Sequence, residues 1–342
     1  MTNAEAPIRP LISVLIAVRG ESIELVECLA SMSAQTYPRD RFEVLLAAAS
    51  DKPIDPASLP RDIDVHVYPN EALFMGPGVN MVAGHARGEY VAIPSAHSSL
   101  PPEYLERMVA TTLATGATNV GVRIRKVAHS AWGRAIAAAT SSPFGVGSSV
   151  QHHGTVAGPA ESAFPTFMPR ARFLALGGFD ARLSYNQDDD FNARLRASGG
   201  VVWYEPAVEV VYHPRETLRT LFRQQFRYGR WKVAVARLGV PGYMRPRHAV
   251  PSLVVVGAIV GPVASVLWHP LAIPTAVAAA AYCALAIVEG RRMSRAYAAA
   301  TWRTALVFPV VHAAYGLGFL RGLLDRGLPH EGGAMAAPRA GA

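Results

Sequence analysis

Three long uncharged runs near the carboxyl end limit what this 342-residue chain can fold into. They are residues 249–268, 271–288 and 304–320, and none contains Asp, Glu, Lys or Arg. A helix of about 20 residues is about 30 Å long, which matches the hydrocarbon core of a bilayer. The first two runs therefore predict transmembrane helices, with buried core helices as the alternative. The third is shorter and contains His312, so it also fits a core helix or an interfacial helix.

Basic residues flank these runs, whereas the link between the first two, residues 268–270, has no Lys or Arg. By the positive-inside rule, the first two runs form a hairpin with both ends in the cytosol, and a third span would send the carboxyl end outward. Most of the net charge of +8 lies here, which predicts anionic lipids as partners. Nucleic acid is not expected, because no base-stacking motif accompanies the charge. The basic residues are Arg227, Arg230, Lys232, Arg237, Arg245 and Arg247 before the first run and Arg291, Arg292, Arg295 and Arg303 after the second.

The preceding part of the chain has the pattern of an α/β domain. Apolar runs of strand length occupy residues 11–17, 42–47, 63–67 and 90–93, and helical spacing occupies residues 23–32 and 78–85. Such alternation predicts a mostly parallel, doubly wound sheet, whose functional sites lie at the carboxyl ends of the strands. Residues 1–10 lack the features of a signal peptide, so we expect this domain to stay in the cytosol.

The turn after the fourth strand lacks the carboxylate that an α/β enzyme usually places there for a metal. It contains Ser95, Ala96 and His97, and two prolines then open the next helix. His97 is a candidate metal ligand, with an ordinary polar loop residue as the alternative. The chain has therefore either lost this chemistry or performs it with other groups.

A run of three acids, Asp188, Asp189 and Asp190, opens a predicted helix after the turn "LGGFD". Acids at a helix amino terminus are stabilised by the helix dipole and need no further function. However, three adjacent like charges repel one another, which exceeds what capping requires. One of them is therefore a candidate general base toward a hydroxyl group.

A basic and aromatic segment, "RQQFRYGRWK", precedes the first uncharged run and lies in a predicted amphipathic helix near residues 216–235. Gln224, Arg227 and Tyr228 share one face at helical spacing, and Arg230 and Trp231 follow. The segment fits a helix at the membrane surface, and it equally fits an arginine and glutamine pair that grips a phosphate group. The two readings are compatible.

Taken in order, these segments resemble family 2 glycosyltransferases, and most closely the membrane-bound, exopolysaccharide (succinoglycan-type) branch. The resemblance covers residues 10–235 and a segment near the carboxyl end. It implies a GT-A-type doubly wound mixed sheet followed by transmembrane helices, and inverting transfer of a sugar from a nucleotide donor to a hydroxyl. The matching stretches are "VRGE", "QTYPRDRFEVLL", "GPGVNMVAGHARGEYVAI", "PPEYL", "GGFD", "NQDDDFNARL", "RQQFRYGRW" and "HAAYGLGFLRGLL".

The resemblance assigns a role to each matching residue. The family's Glu-Asp pair falls on Gln187-Asp188, so Asp188 becomes the expected catalytic base. The residues implied on the acceptor side are Asp189, Asp190 and Trp231. Those implied on the donor and diphosphate side are Glu21, Ser95, His97, Gln224, Arg227, Tyr228 and Arg230.

The donor side departs from the family pattern. The acid that reads the base falls near Ala48, and the first acid of the metal motif falls on Ser95. The proline and asparagine of the first loop are Ala17 and Gly20 here. A divalent cation is therefore expected to bind with Mn²⁺ favoured over Mg²⁺, through His97 or His213, or else to be dispensable.

The resulting expectation is a multi-pass protein of the cell membrane. Residues 1–235 form a cytosolic glycosyltransferase domain, residues 249–320 a membrane domain of two or three helices, and residues 328–342 a disordered tail. The partners expected are a nucleotide-sugar, a lipid-linked or saccharide acceptor in polysaccharide or cell-envelope assembly, membrane lipids and other assembly proteins. The alternative is a weak or inactive pseudo-glycosyltransferase that acts as a scaffold or binding subunit.

Overall fold

The structure is a computed structural model that describes residues 9–329. Residues 1–8, part of the stretch considered for a signal peptide, and all but the first two positions of the predicted tail lie outside the described residues. The strands are β1 (Ile12–Val18), β2 (Phe42–Ala49), β3 (Val65–Asn70), β4 (Tyr90–Ile93), β5 (Ser98–Ser99), β6 (Asn119–Lys126), β7 (Gly158–Pro159), β8 (Thr166–Pro169) and β9 (Val202–Tyr212). The helices are α1 (Ile23–Ser33), α2 (Met75–His85), α3 (Tyr104–Thr115), α4 (Ala131–Ala139), α5 (Pro143–Val146), α6 (Val150–His153), α7 (Arg170–Ala175), α8 (Gln187–Ala197), α9 (Leu218–Ala236), α10 (Val250–Leu267), α11 (Ala272–Ala296) and α12 (Thr301–Leu324).

The first of two compact units, within residues 9–124 and 155–211, is built on a mixed sheet. Its strand order is β3-β2-β1-β4-β8-β6-β9-β5, with β7 paired to β9. Strands β3, β2, β1 and β4 run parallel, whereas β8 is antiparallel to both β4 and β6. The parallel half brings the carboxyl ends of β1, β2 and β4 to one edge of the sheet.

The predicted elements of this unit are present, with shifted ends. The fourth strand matches its predicted bounds, and the third begins at Val65, two residues later than predicted. Helix α2 begins at Met75, three residues early, because Pro77 lies in its first turn, where no intrahelical hydrogen bond is lost. Continuous apolar runs locate the strands well, because strands such as β2, in which all eight residues are buried, are covered on both faces of the sheet.

The second compact unit, within residues 125–154 and 212–329, is helical. Helices α4, α9, α11 and α12 share a small apolar core that contains Ile136, Leu221, Val307 and Phe308. The loop after α4 is tied to this core, because the Ser142 hydroxyl donates to Glu289 on α11 at 2.5 Å. The predicted amphipathic helix at residues 216–235 is α9.

Three helices of this unit are long and apolar enough to cross a membrane, namely Pro246–Leu267, His269–Ala296 and Thr301–Leu324. They correspond to the three uncharged runs of the sequence. Only 11% and 6% of the apolar windows of the first two are buried inside the protein, compared with 44% for the third. The first two therefore leave most of their apolar residues uncovered, whereas nearly half of the third is buried against the rest of the protein.

Helix α12 packs against α9 along a seam of glycines. A Cβ atom added at Gly318 would overlap the backbone carbonyl of Phe226, and one added at Gly229 would overlap that of Tyr315. At Gly322 the added atom would lie 2.7 Å from the carbonyl oxygen of Arg230. Small residues allow two helix backbones to approach closely, so these glycines set the distance between α9 and α12.

Candidate functional site

Two loops at the carboxyl ends of β1 and β2 are joined by Glu21. Its Oε1 atom accepts hydrogen bonds from the backbone N–H of Asp55 at 2.8 Å and from the Ser58 hydroxyl at 3.1 Å. The side chain is exposed, and it lies where the sequence places the nucleotide end of the sheet. Its role in donor binding stays a prediction.

An ion pair at the same edge was missed by the sequence analysis. Asp51 follows the end of β2, and its Oδ2 accepts from the guanidinium of Arg19 at 2.8 Å. Ala48, where the family pattern has its base-reading acid, lies in register with Val18 at the end of β1. Asp51 is only three residues after Ala48. An acid this close to the position of the base-reading acid was the signal that the sequence offered.

Two hydrogen bonds within the turn after β4 stabilise its conformation. The Ser95 carbonyl accepts from the Ser98 N–H at 3.0 Å, and the Ser95 hydroxyl accepts from the His97 N–H at 3.2 Å. Ala96 is buried and His97 is exposed. The turn offers one hydroxyl and one imidazole but no carboxylate, so its donor set does not fit Mg²⁺, which prefers oxygen ligands.

Within the described residues, one group of three side chains has the spacing of a metal site: Glu43, Asp64 and His66, with ligand atoms within 4.8 Å of one another. This group lies near the amino-terminal ends of β2 and β3, away from the loops just described. Arg87 donates to Glu43 at 2.7 Å and to Asp64 at 2.5 Å, so a guanidinium already neutralises both carboxylates. Burial alone would raise the pKa of Glu43, but hydrogen bonds from Ser13 and Arg87 and the charge of Arg87 hold it below its ordinary value. We interpret the group as a structural network.

Asp188 and Asp189 lie in the first turn of α8, and both are half-buried. The residue before the helix, Asn186, has a φ of 61°, a left-handed conformation that asparagine tolerates better than most side chains. The helix thus begins abruptly, with the aspartates at its positive end. A carboxylate at this position can act as a general base toward a hydroxyl group.

Asp190, predicted as an acceptor-side residue, is buried in the structure. Its side chain is 1% exposed, and its Oδ2 accepts from Arg194 Nε at 2.8 Å. Burial raises the pKa of Asp190 above its ordinary value, although Arg194 opposes the rise. Arg194 also donates to the carbonyls of Leu176 and Gly178. Asp190 therefore ties α8 to the preceding glycine turn and offers no surface to an acceptor.

Two buried asparagines anchor α8 to the sheet, and the sequence analysis missed both. Asn192 donates to the Asp188 carbonyl at 2.8 Å, and its Oδ1 accepts from Asn119 at 2.9 Å. Asn119 Oδ1 in turn accepts from the backbone N–H of Phe167 on β8 at 3.1 Å. Because both amides are 0% exposed, this chain of hydrogen bonds fixes the first turn of α8 relative to β6 and β8.

Asn80 on α2 clamps the glycine turn that precedes α8. Its side chain donates to the Phe179 carbonyl at 2.6 Å and accepts from the Phe179 N–H at 2.8 Å. Gly178 has a φ of 64°, and a Cβ atom there would overlap the Asn80 side chain. The turn therefore requires glycine for both its backbone conformation and its space.

In the second unit, α9 brings Gln224 and Tyr228 together. Gln224 Nε2 donates to the Tyr228 hydroxyl at 3.2 Å, as the predicted helical spacing requires. Both side chains are half-buried, and Arg227, beside them on the same helix, is exposed. This face of α9 presents one cation beside two polar groups, an arrangement that suits a phosphate.

Three other predicted site residues of this unit have different surroundings. Arg230 is paired with Asp325, with Nε 2.6 Å from Oδ2, so it holds the end of α12. Trp231 is 1% exposed and therefore belongs to the core rather than to an acceptor surface. The ring of His213 stacks on that of His129, with centroids 5.8 Å apart. Arg230 is thus already paired and Trp231 is buried, and the predicted roles of all three residues stay predictions.

Comparison with known proteins gives consistent matches. The family model described as Glycosyl transferase family 2 matches residues 13–143. The succinoglycan biosynthesis protein ExoA of Rhizobium meliloti (strain 1021) is 33% identical over 242 residues, covering 70% of this chain and 71% of that protein. A second relative, from Methanococcus voltae, is 22% identical over 245 residues, covering 67% of this chain and 74% of that protein. It is named dolichyl N-acetyl-alpha-D-glucosaminyl phosphate 3-beta-D-2,3-diacetamido-2,3-dideoxy-beta-D-glucuronosyltransferase.

Among solved structures, the mannosyltransferase PcManGT from Pyrobaculum calidifontis, in complex with GDP-Man and Mn²⁺, is similar over most of its length. The match covers 94% of this chain and 89% of that one, with a TM-score of 0.57 and 19% sequence identity. At this identity the likeness concerns the fold. The predicted GT-A-type mixed sheet with apolar carboxyl-terminal helices is confirmed.

Proposed function

Because this chain belongs to glycosyltransferase family 2, in its exopolysaccharide branch, we propose that it is a membrane-anchored, inverting glycosyltransferase. It moves a sugar from a nucleotide-sugar to a hydroxyl of a lipid-linked or saccharide acceptor in polysaccharide or cell-envelope assembly. The names of two relatives support this substrate class, since one acts in succinoglycan biosynthesis and the other on a dolichyl-linked sugar phosphate.

The observation that carries the proposal is the anchored first turn of α8. Asp188 accepts the proton of the acceptor hydroxyl, and the oxygen attacks the anomeric carbon of the donor from the side opposite the diphosphate. The bond between that carbon and the diphosphate oxygen breaks, and the nucleoside diphosphate leaves. The configuration at the anomeric carbon inverts. Asn192, itself held by Asn119, donates to the backbone carbonyl of Asp188 and so positions the helix turn that carries the carboxylate.

We assign the residues on the donor side to binding of the nucleotide-sugar and not to proton transfer. Glu21, Ser95 and His97 surround the nucleotide end of the sheet, and Asp51 substitutes for the base-reading acid. Gln224, Arg227 and Tyr228 bind the diphosphate, where the charge of Arg227 stabilises the leaving group. Asp189 is assigned to the acceptor side.

Isothermal titration of the full chain with a panel of nucleotide-sugars tests this assignment. One class of donor should bind, and the affinity should fall when Arg227 is replaced by alanine. Binding of none of the panel, with or without divalent cations, would instead favour the second candidate function. That candidate is a non-catalytic scaffold of an assembly complex, and the absence of acids at Ala48 and Ser95 is the observation that favours it.

The metal requirement yields a specific prediction. Wild-type donor binding should resist a chelator, or respond to Mn²⁺ far more than to Mg²⁺, because His97 is a better ligand for the softer ion. S95D adds a hard oxygen ligand to the turn and should introduce dependence on Mg²⁺. Calorimetry of both proteins with each ion checks this. S95A serves as the control, and strong Mg²⁺ dependence of the wild type would contradict the prediction.

We further propose that α10 and α11 form the membrane hairpin and that α12 lies at the cytosolic surface beside α9. Placing α12 across the bilayer would carry the exposed Arg223 and Arg227 of α9 into hydrocarbon, at about 3 kcal/mol for each charge near the centre. The glycine seam prevents the two helices from separating without loss of packing.

This arrangement predicts the side of the membrane on which α12 ends. A reporter domain joined after Leu328 should be cytosolic, and one inserted at His269 in the link between α10 and α11 should be external. Fluorescent and alkaline phosphatase reporters, which work on opposite sides of the membrane, make the measurement. An external reporter after Leu328 would show that α12 is a third span.

A further inference from the structure

The guanidinium of Arg303, in the first turn of α12, lies against two indole rings. Its central carbon is 4.9 Å from the ring centroid of Trp302 and 5.7 Å from that of Trp132 on α4. The two indoles meet at 84°, with centroids 5.8 Å apart, so they form a corner around the cation. Such contacts fix the plane of a guanidinium and attract its charge, but they satisfy none of its N–H donors.

Arg303 also has no anionic partner within residues 9–329. Its Nε atom is shielded from solvent and has no hydrogen-bond partner there, and no ion pair is formed by its guanidinium within that range. By contrast, Arg292 nearby in the sequence is paired with Glu289, and Arg230 is paired with Asp325. A partly desolvated cation without a counter-charge is costly, so this geometry favours an anion that the described residues do not supply.

The surroundings of Arg303 indicate which anion fits. Trp302 is 56% exposed, and exposed tryptophans are typical of the boundary between hydrocarbon and headgroups. Arg291 and Arg295, near the end of α11, are exposed as well and add positive charge close to the start of α12 in the sequence. The anion must therefore be carried at the membrane surface, as the phosphate of a lipid is.

We propose that Arg303, Trp132 and Trp302 form a binding site for the phosphate of an anionic glycerophospholipid. The guanidinium edge donates to the phosphate oxygens, and the indoles pack against the glycerol and the first acyl carbons. The inference rests on the membrane association proposed above, but not on catalysis. It assigns to α4 and α12 the recognition of a lipid headgroup.

Titration of the full chain in a neutral detergent tests the site. The probes are short-chain phosphatidylglycerol, short-chain phosphatidylcholine and a long-chain isoprenyl phosphate, and tryptophan fluorescence reports binding. Phosphatidylglycerol should bind at least about tenfold more tightly than phosphatidylcholine, and R303Q should weaken its binding about tenfold. R303K keeps the charge but loses the planar, stacked donor, so it should weaken binding nearly as much.

R291Q is the matched control, because it removes the same charge from an exposed neighbour that no indole contacts in the described structure. It should weaken binding by about twofold or less. Equal affinities of wild type and R303Q, or equal losses for R291Q and R303Q, would overturn the proposal. So would tight binding of the isoprenyl phosphate alone, which would assign the site to a lipid-linked acceptor. A wild-type chain that enters bilayers but shows no preference for phosphatidylglycerol would refute the site and leave membrane anchoring intact.

Discussion

Replacing Asp188 with asparagine is expected to lower the rate of sugar transfer by about 100- to 10,000-fold, which is the usual contribution of a positioned general base. Asparagine has nearly the shape of aspartate but cannot accept the proton. The backbone carbonyl of residue 188, which accepts from Asn192, is unchanged by the substitution. The affinity for the nucleotide-sugar should therefore stay within about twofold of wild type, because the change removes the base and not the donor contacts. Single-turnover transfer and calorimetry on the same preparations measure the two quantities.

D189N is the matched control, since Asp189 is half-buried in the same turn of α8 and carries the same charge. Because Asp189 is assigned to acceptor binding and not to proton transfer, D189N should weaken acceptor binding but retain most of the transfer rate at saturating acceptor. If D189N lost the rate and D188N kept it, the assignment of the base within the acidic run would be wrong. D190N is unsuitable as a control, because it would leave the half-buried Arg194 guanidinium without its carboxylate partner and destabilise the fold by about 1.5–3 kcal/mol.

Replacing Gly318 with valine should destabilise the helical unit by about 3 kcal/mol or more, the upper range for overpacking. The added Cβ would overlap the carbonyl of Phe226, which is backbone and cannot rotate away. Helices α9 and α12 must then separate, and the pair between Arg230 and Asp325 would be strained as well. Thermal unfolding of the full chain in detergent should show a lower Tm.

G257V on α10 is the control for this experiment. A Cβ added at Gly257 meets no atom within 4 Å, so the same substitution in another apolar helix should have little effect. Similar Tm values for G318V and wild type would mean that α9 and α12 are not packed as described. The assignment of α12 to the membrane surface would then lose its basis.

The sequence predicts the sheet well, because burial on both faces leaves continuous apolar runs that local reading can detect. The start of α8 was also predictable, since acids gather at helix amino termini. The partners of those acids were not. Asp190 pairs within its own helix, whereas the amides of Asn119 and Asn192 meet across 73 residues of sequence. The residues next to each asparagine in the sequence give no indication of this hydrogen bond.

Helix α12 illustrates the same limit at the scale of a whole element. Its composition and length fit a membrane span, although its mean hydropathy of 1.4 is lower than the 2.2 of the helix that contains α10. What distinguishes it is a row of glycines that faces a charged helix, and this contact exists only in three dimensions. Likewise, the family pattern selected Arg230 and Trp231 by their positions in the sequence. It could not show that Arg230 pairs with Asp325 or that Trp231 is buried in the core.

Sugar transfer by the full chain in lipid bilayers tests the central claim most directly. The panel of nucleotide-sugars, each labelled in the sugar, is supplied together with lipid-linked and saccharide acceptors, and the product is analysed for yield and anomeric configuration. The account predicts a product from at least one donor, with inverted configuration, that is lost in D188N. A donor that binds but yields no product under any metal condition, or a product with retained configuration, would contradict it.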